Sequence, residues 1–144
     1  MITVRQLLAR KGNAVRHIAP DATVYEALQQ MAQHDVGALV VLADGELVGL
    51  VSERDYARKV ILRGKHSDET RVREIMDEKP ICVRSVQSIE DCMQLMTERR
   101  TRHLPVVENG QIAGMISIGD VVKAIIADRE TTIEELQQYI QSSR

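Results

Sequence analysis

Gly49-Leu50-Val51-Ser52-Glu53-Arg54-Asp55 returns 65 residues later as Gly114-Met115-Ile116-Ser117-Ile118-Gly119-Asp120. The same offset superposes Met31 on Met96, Leu39 on Leu104, Gly45 on Gly110 and Ile61 on Ile126, with no gap from His17 to Leu62. Self-similarity of this kind decides an architecture before any single element does. Upstream, Val4-Arg5-Gln6-Leu7-Leu8 matches Val72-Arg73-Glu74-Ile75-Met76 at an offset of 68, so the first copy carries three extra residues around Gly12-Asn13. The 144 residues are two copies and a tail.

Each copy predicts the same elements. A short β-branched stretch (Val15 to Ile18; Ile81 to Val83) precedes Thr23 or Ser88, which stands three residues before Glu26 or Asp91 as a helix capping box. The helix that follows has an apolar face at helical spacing: Val24, Ala27, Leu28, Met31, and then Ile89, Cys92, Met93, Met96. Two strands come next, joined by Asp44-Gly45 or Asn109-Gly110, dipeptides that tolerate the positive φ of a type I′ hairpin. A second helix starts at Ser52 or Ser117 and runs through Ala57, Val60 and Ile61, or Val122, Ile125 and Ile126. The unit is β-α-β-β-α, and the fold class is mixed α+β. A unit of this size cannot bury its sheet and helix faces alone, so the copies are expected to pack about a pseudo-twofold axis. Residues 1–63 form the first copy, 64–70 an exposed connector, 71–128 the second copy, and 129–144 a C-terminal helix opened by Thr131-Thr132. Ile133, Leu136 and Ile140 share one side of that helix and either cover the module or meet a second chain.

Composition narrows the function. Hydrophobic residues make up 44%, enough for a core, and 19 basic against 21 acidic residues give a net charge of −2, too weak a field for nucleic acid or anionic lipid. Without Trp or Phe and with three Tyr, the core is expected to be aliphatic and base-stacking platforms are scarce. No apolar run reaches the roughly 18 residues of a membrane span, and the start of the chain does not read as a secretory signal, so a cytoplasmic protein is expected. Cys82 and Cys92 form no C-x-x-C pair. His17, His34, His66 and His103 lack metal-ligand spacing, and no Walker loop, Rossmann fingerprint or nucleophile elbow occurs.

The chemistry that remains is the duplicated Ser-x-x-Asp. As a capping box it needs no further purpose. A helix N-terminus can also hold a phosphate on its unpaired N–H groups, and an Asp in the first turn can accept hydrogen bonds from a ribose diol.

The repeat, its Gly-h-h-Ser-x-x-Asp endings (h apolar) and Arg102-His103-Leu104-Pro105-Val106-Val107 make residues 1–128 similar to a tandem pair of CBS domains, the regulatory repeat also called a Bateman module. That resemblance implies a non-catalytic module that senses an adenine nucleotide, AMP, ATP or NAD(H) among them, in two clefts between the repeats. By position it implies that Asp55 and Asp120 bind ribose diols and that Ser52 and Ser117 bind ribose or phosphate. Ile18, Gly37, Ala38 and Leu39, with Val83, Pro105 and Ile116, would enclose adenine. Arg102 and His103 would meet phosphate at the Asp55 cleft, beside Arg54. The Asp120 cleft would have no fixed cation, Gly119 standing where a polar or basic residue is common. No metal and no catalytic cofactor is implied. A homodimer with an unidentified effector protein is expected, and a structural dimerisation module with empty clefts is the alternative.

Overall fold

The computed structural model describes residues 2–142. Its elements follow local chemistry closely. Thr3 caps α1 (Val4–Lys11) through a reciprocal pair of bonds with Gln6, and Thr23 caps α2 (Val24–His34) in the same way with Glu26. β1 (His17–Ile18) lies between them. β2 (Ala38–Ala43) and β3 (Glu46–Ser52) are joined by Asp44 and Gly45 at φ 51° and 79°, the two positive values a type I′ turn requires. α3 (Glu53–Lys59) and α4 (Val72–Ile75) follow, then α5 (Ile89–Arg99), whose first turn is capped by Ser88 Oγ accepting from Asp91 N at 3.1 Å. β4 (His103–Glu108) turns at Asn109 and Gly110, φ 52° and 75°, into β5 (Gln111–Ser117), and α6 (Ile118–Ser142) ends the described chain.

The chain divides into two compact units: one holds the first copy's sheet and α4, and the other holds α1, β4 and the end of β5. The first unit takes residues 14–81, with 109–113. In it β1 pairs parallel with β2 (Ile18 opposite Val41) and β2 antiparallel with β3. α4 docks here through three main-chain bonds: Val24 N to Thr70 O, Val72 N to Ala22 O and Arg73 N to Pro20 O, all 2.8–2.9 Å. Its core is aliphatic, built on Val24, Met31, Leu39, Val51, Val72 and Ile75.

The second unit takes residues 2–13, 82–108 and 114–142. The same three bonds recur at α1: Ile89 N to Ile2 O, Val4 N to Gln87 O and Arg5 N to Ser85 O, at 2.8–3.0 Å. Val83 meets Val106 in a parallel bridge, the counterpart of Ile18 and Val41. Val4, Ile89, Leu104, Val106 and Ile116 are fully buried.

Three local expectations are revised. The leading strands shrink to His17–Ile18 and to a single bridge at Val83. The helix after Ser52 stops at Lys59 and passes through a 3-10 turn (Ile61–Arg63) closed by Gly64 at φ 69°, whereas Arg129 stands at the equivalent place in α6 and the helix runs on. Thr131 and Thr132 do not start a helix: their hydroxyls donate at 3.0 Å to Ala127 O and Asp128 O inside the continuous α6.

Candidate functional site

β3 ends at Ser52, whose extended backbone (φ −131°, ψ 164°) places its hydroxyl over the first turn of α3. Ser52 Oγ accepts from Asp55 N at 3.2 Å, and Asp55 Oδ2 accepts from Ser52 N at 2.9 Å and from Ser52 Oγ at 3.0 Å. One turn on, Lys59 Nζ stands 3.4 Å from Asp55 Oδ1 and donates to Ile75 O at 2.9 Å. Asp55, Lys59, Met76, Asp77, Glu78 and Lys79 line a cavity of about 510 Å³ in the first unit.

The second unit repeats the cap and changes the cation. Asp120 Oδ2 accepts from Ser117 N at 2.8 Å, and Ser117 Oγ accepts from Asp120 N at 3.2 Å. The cation is Lys11 from α1, whose Nζ donates to Asp120 Oδ2 and to Met115 O, each at 2.7 Å. Burial pushes the Asp120 carboxyl up, but its bonds from Lys11 and Ser117 outweigh this and hold it below the ordinary 3.8. His103, at the start of β4, is held below its ordinary value mainly by burial and then by the charge of Lys11, with Asp120 acting the other way and Arg102 adding to the lowering.

The helix starts are less open to an anion than the sequence implies. Glu53 N donates to Gly37 O at 3.0 Å, and the equivalent Ile118 N donates to Arg102 O at 2.9 Å. The amides of Asp55 and Asp120 are taken by the cap serines. Two of the first three amides of each helix therefore already have protein partners, which leaves little of the unpaired donor set that binds phosphate at a helix end.

The residues singled out in the sequence fall into two groups. Ser52, Arg54 and Asp55 cluster in the first unit, where Ile18, Ala38 and Leu39 are buried in the sheet and half-buried Gly37 supplies the carbonyl just described. Ser117, Asp120 and His103 cluster in the second, where Val83, Pro105 and Ile116 are buried and Arg102 is exposed. Ile18 also borders a larger groove of about 790 Å³ along β1 and α2, with His17, Glu26, Gln30 and Leu42. The expectation that Asp120 has no fixed cation within reach does not hold, because Lys11 is bonded to it. Lys59 was legible as the i+4 neighbour of Asp55 on one helix. Lys11 had a fainter signal: the offset of 68 that aligns the leading helices pairs it with Lys79, which borders the Asp55 cavity.

Among the described residues no group of three or more His, Cys, Asp or Glu is placed to hold a metal ion, and no helix is long and apolar enough to cross a membrane. A family model described as CBS domain matches residues 2–62 and again 72–127. The mitochondrial CBS domain-containing protein CBSX3 of Arabidopsis thaliana is 46% identical over 84% of this chain, which spans 61% of that protein's length. A solved protein with CBS domains from Burkholderia ambifaria MC40-6 is also 46% identical, with a TM-score of 0.84 over 88% of this chain and 95% of that one. The CBS domain pair of MJ0100, solved with 5′-methylthioadenosine and S-adenosyl-L-methionine, shares the fold at 18% identity, with a TM-score of 0.79 over 89% of this chain and 98% of that one.

Proposed function

Because the chain belongs to the CBS-domain family and carries the domain twice, we propose that it is a regulatory module that binds an adenine nucleotide of the AMP, ATP or NAD(H) class at its two Ser-x-x-Asp helix starts. The observation that carries this reading is the duplicated arrangement of a carboxylate fixed by its own cap and accompanied by a lysine ammonium, Asp55 with Lys59 and Asp120 with Lys11. A ribose diol needs paired acceptors held in place, and the phosphates beyond it need a cation. That the fold can hold adenosine compounds is seen in the MJ0100 pair.

Ser52 and Ser117 support the aspartates, Arg54 stands at the Asp55 end of the first unit, and Arg102 and His103 are the further basic groups, in the second unit. Gly37, Ala38, Leu39 and Ile18 in the first unit, and Val83, Pro105 and Ile116 in the second, are the groups for adenine. The module catalyses nothing itself: ligand binding shifts the population of two conformations, and an effector protein in the cytoplasm reads the change. It acts as a homodimer, a state supported by the α6 stripe, where Ile133, Leu136 and Ile140 remain 54–58% exposed.

A ligand specific to the folded state raises the melting temperature by mass action. AMP, ATP, NAD and NADH at millimolar concentration should raise it, and guanine or pyrimidine analogues should do so less. A flat response to all of them would favour a structural dimerisation module with empty clefts.

A further inference from the structure

The Asp120 end poses a charge problem. A carboxylate that accepts bonds from a diol repels the phosphate of the same ligand, so a site for a nucleotide needs a cation close to the carboxylate. The helix start does not supply enough, since the Ile118 and Asp120 amides are bonded within the protein. His103 does not supply it either, because burial and the neighbouring Lys11 favour its neutral form.

We propose that Lys11, on the leading helix α1, is the residue that makes the Asp120 site select a phosphorylated nucleoside over the bare nucleoside. This deepens the nucleotide reading above and rests on it. An ammonium has three N–H donors. Two of them are spent on Asp120 Oδ2 and Met115 O, both at 2.7 Å, which anchors the nitrogen at the carboxylate and leaves a third for a ligand oxygen. The pair Lys11 and Asp120 carries no net charge, so the carboxylate can hold a diol without driving off an anion. The duplication supports the assignment from a second position: Lys79, the residue equivalent to Lys11, borders the same cavity as Asp55, the residue equivalent to Asp120. In the second unit the leading segment thus brings Lys11 to Asp120, and in the first it brings Lys79 to the cavity that Asp55 lines.

The test is calorimetry with AMP and with adenosine on the full chain carrying Asp55→Ala, so that the Asp120 event is read alone. Lys11→Gln should weaken AMP by about tenfold, the loss of one charge-assisted contact, and adenosine by less than about twofold. Lys11→Arg keeps the charge and should hold AMP within about threefold of the parent. Equal losses for AMP and adenosine in Lys11→Gln would overturn the proposal, because Lys11 would then only support Asp120, and would leave the nucleotide reading standing. Unchanged AMP affinity in Lys11→Gln would overturn it as well. If the Asp55→Ala parent bound neither ligand, the reading of Asp120 as a nucleotide site would fail and the proposal with it.

Discussion

Gly49 lies directly on the main chain of Asp77: a Cβ added at Gly49 would stand 2.9 Å from the Asp77 carbonyl oxygen. That oxygen is fixed, because Leu50 N donates to it at 3.0 Å and Asp77 N returns a bond to Leu50 O at 2.9 Å. The equivalent Gly114 packs on the other leading helix, and its Cβ would meet the two methyl groups of Leu8, each at 2.9 Å. The glycine that opens each repeated motif is therefore required for space, where the leading helix of one copy crosses the last strand of the other.

The two glycines should respond unequally to alanine. Gly49→Ala pushes a methyl against a bonded carbonyl and should cost about 1–3 kcal/mol, the range for overpacking. Gly114→Ala meets the end of a side chain that can turn aside and should cost less. Urea denaturation of the two variants reads the order directly, and equal midpoints would show that Leu8 is as rigid as the Asp77 main chain.

Acid should weaken the fold in two steps. The folded pKa of His103 lies below its ordinary 6.5, so the fold favours the neutral ring; that contribution is complete above 6.5 and is lost as pH falls from there through the lower folded value. The Asp120 carboxyl is also lowered, from 3.8, so its contribution survives to lower pH and disappears only as pH falls through its folded value. His103→Gln should flatten the fall in urea midpoint between pH 7.5 and 5.5 while leaving the loss at the acid end. An undiminished fall between those pH values in the variant would assign it to other groups.

The two thiols should differ in reactivity. Cys92 is fully buried in α5, and burial, followed by the charges of Asp91 and Glu90, pushes its thiol up to about 11. At pH 8 it is almost entirely un-ionised, and the thiolate is the nucleophile. Cys82 is exposed. Iodoacetamide at pH 8 should add once per native chain by intact mass, at Cys82, and rapid double labelling would place Cys92 in solvent.

What could be read from the sequence was what neighbouring residues decide. Thr23 with Glu26, Ser52 with Asp55, and the Asp44-Gly45 and Asn109-Gly110 turns settle their own geometry within four residues, and the repeat fixes their order. The exchange of α1 and α4 was not legible, since Val4 bonds to Gln87 and Val72 to Ala22 across distances that no periodicity reports. For the same reason the cation at Asp120 was missed: Lys11 is 109 residues away. Thr131 and Thr132 misled because a capping signature is indifferent to whether a helix is already running; α6 passes through them and their hydroxyls turn back onto its own carbonyls.

Asp55→Ala and Asp120→Ala should leave the chain folded, since each removes one cap partner at about 0.5–2 kcal/mol. Their effect should be on ligand: each variant loses one binding event and keeps the other. Loss of cooperative unfolding in both variants would make these carboxylates structural.

The most direct measurement is a calorimetric titration of AMP into the wild-type chain and into the Asp55→Ala, Asp120→Ala double variant. Two saturable binding events in the wild type, and none in a double variant that still melts cooperatively, is the predicted result. No heat of binding in the wild type at millimolar AMP, or an unchanged isotherm in the double variant, would contradict the assignment of the two aspartates to a nucleotide.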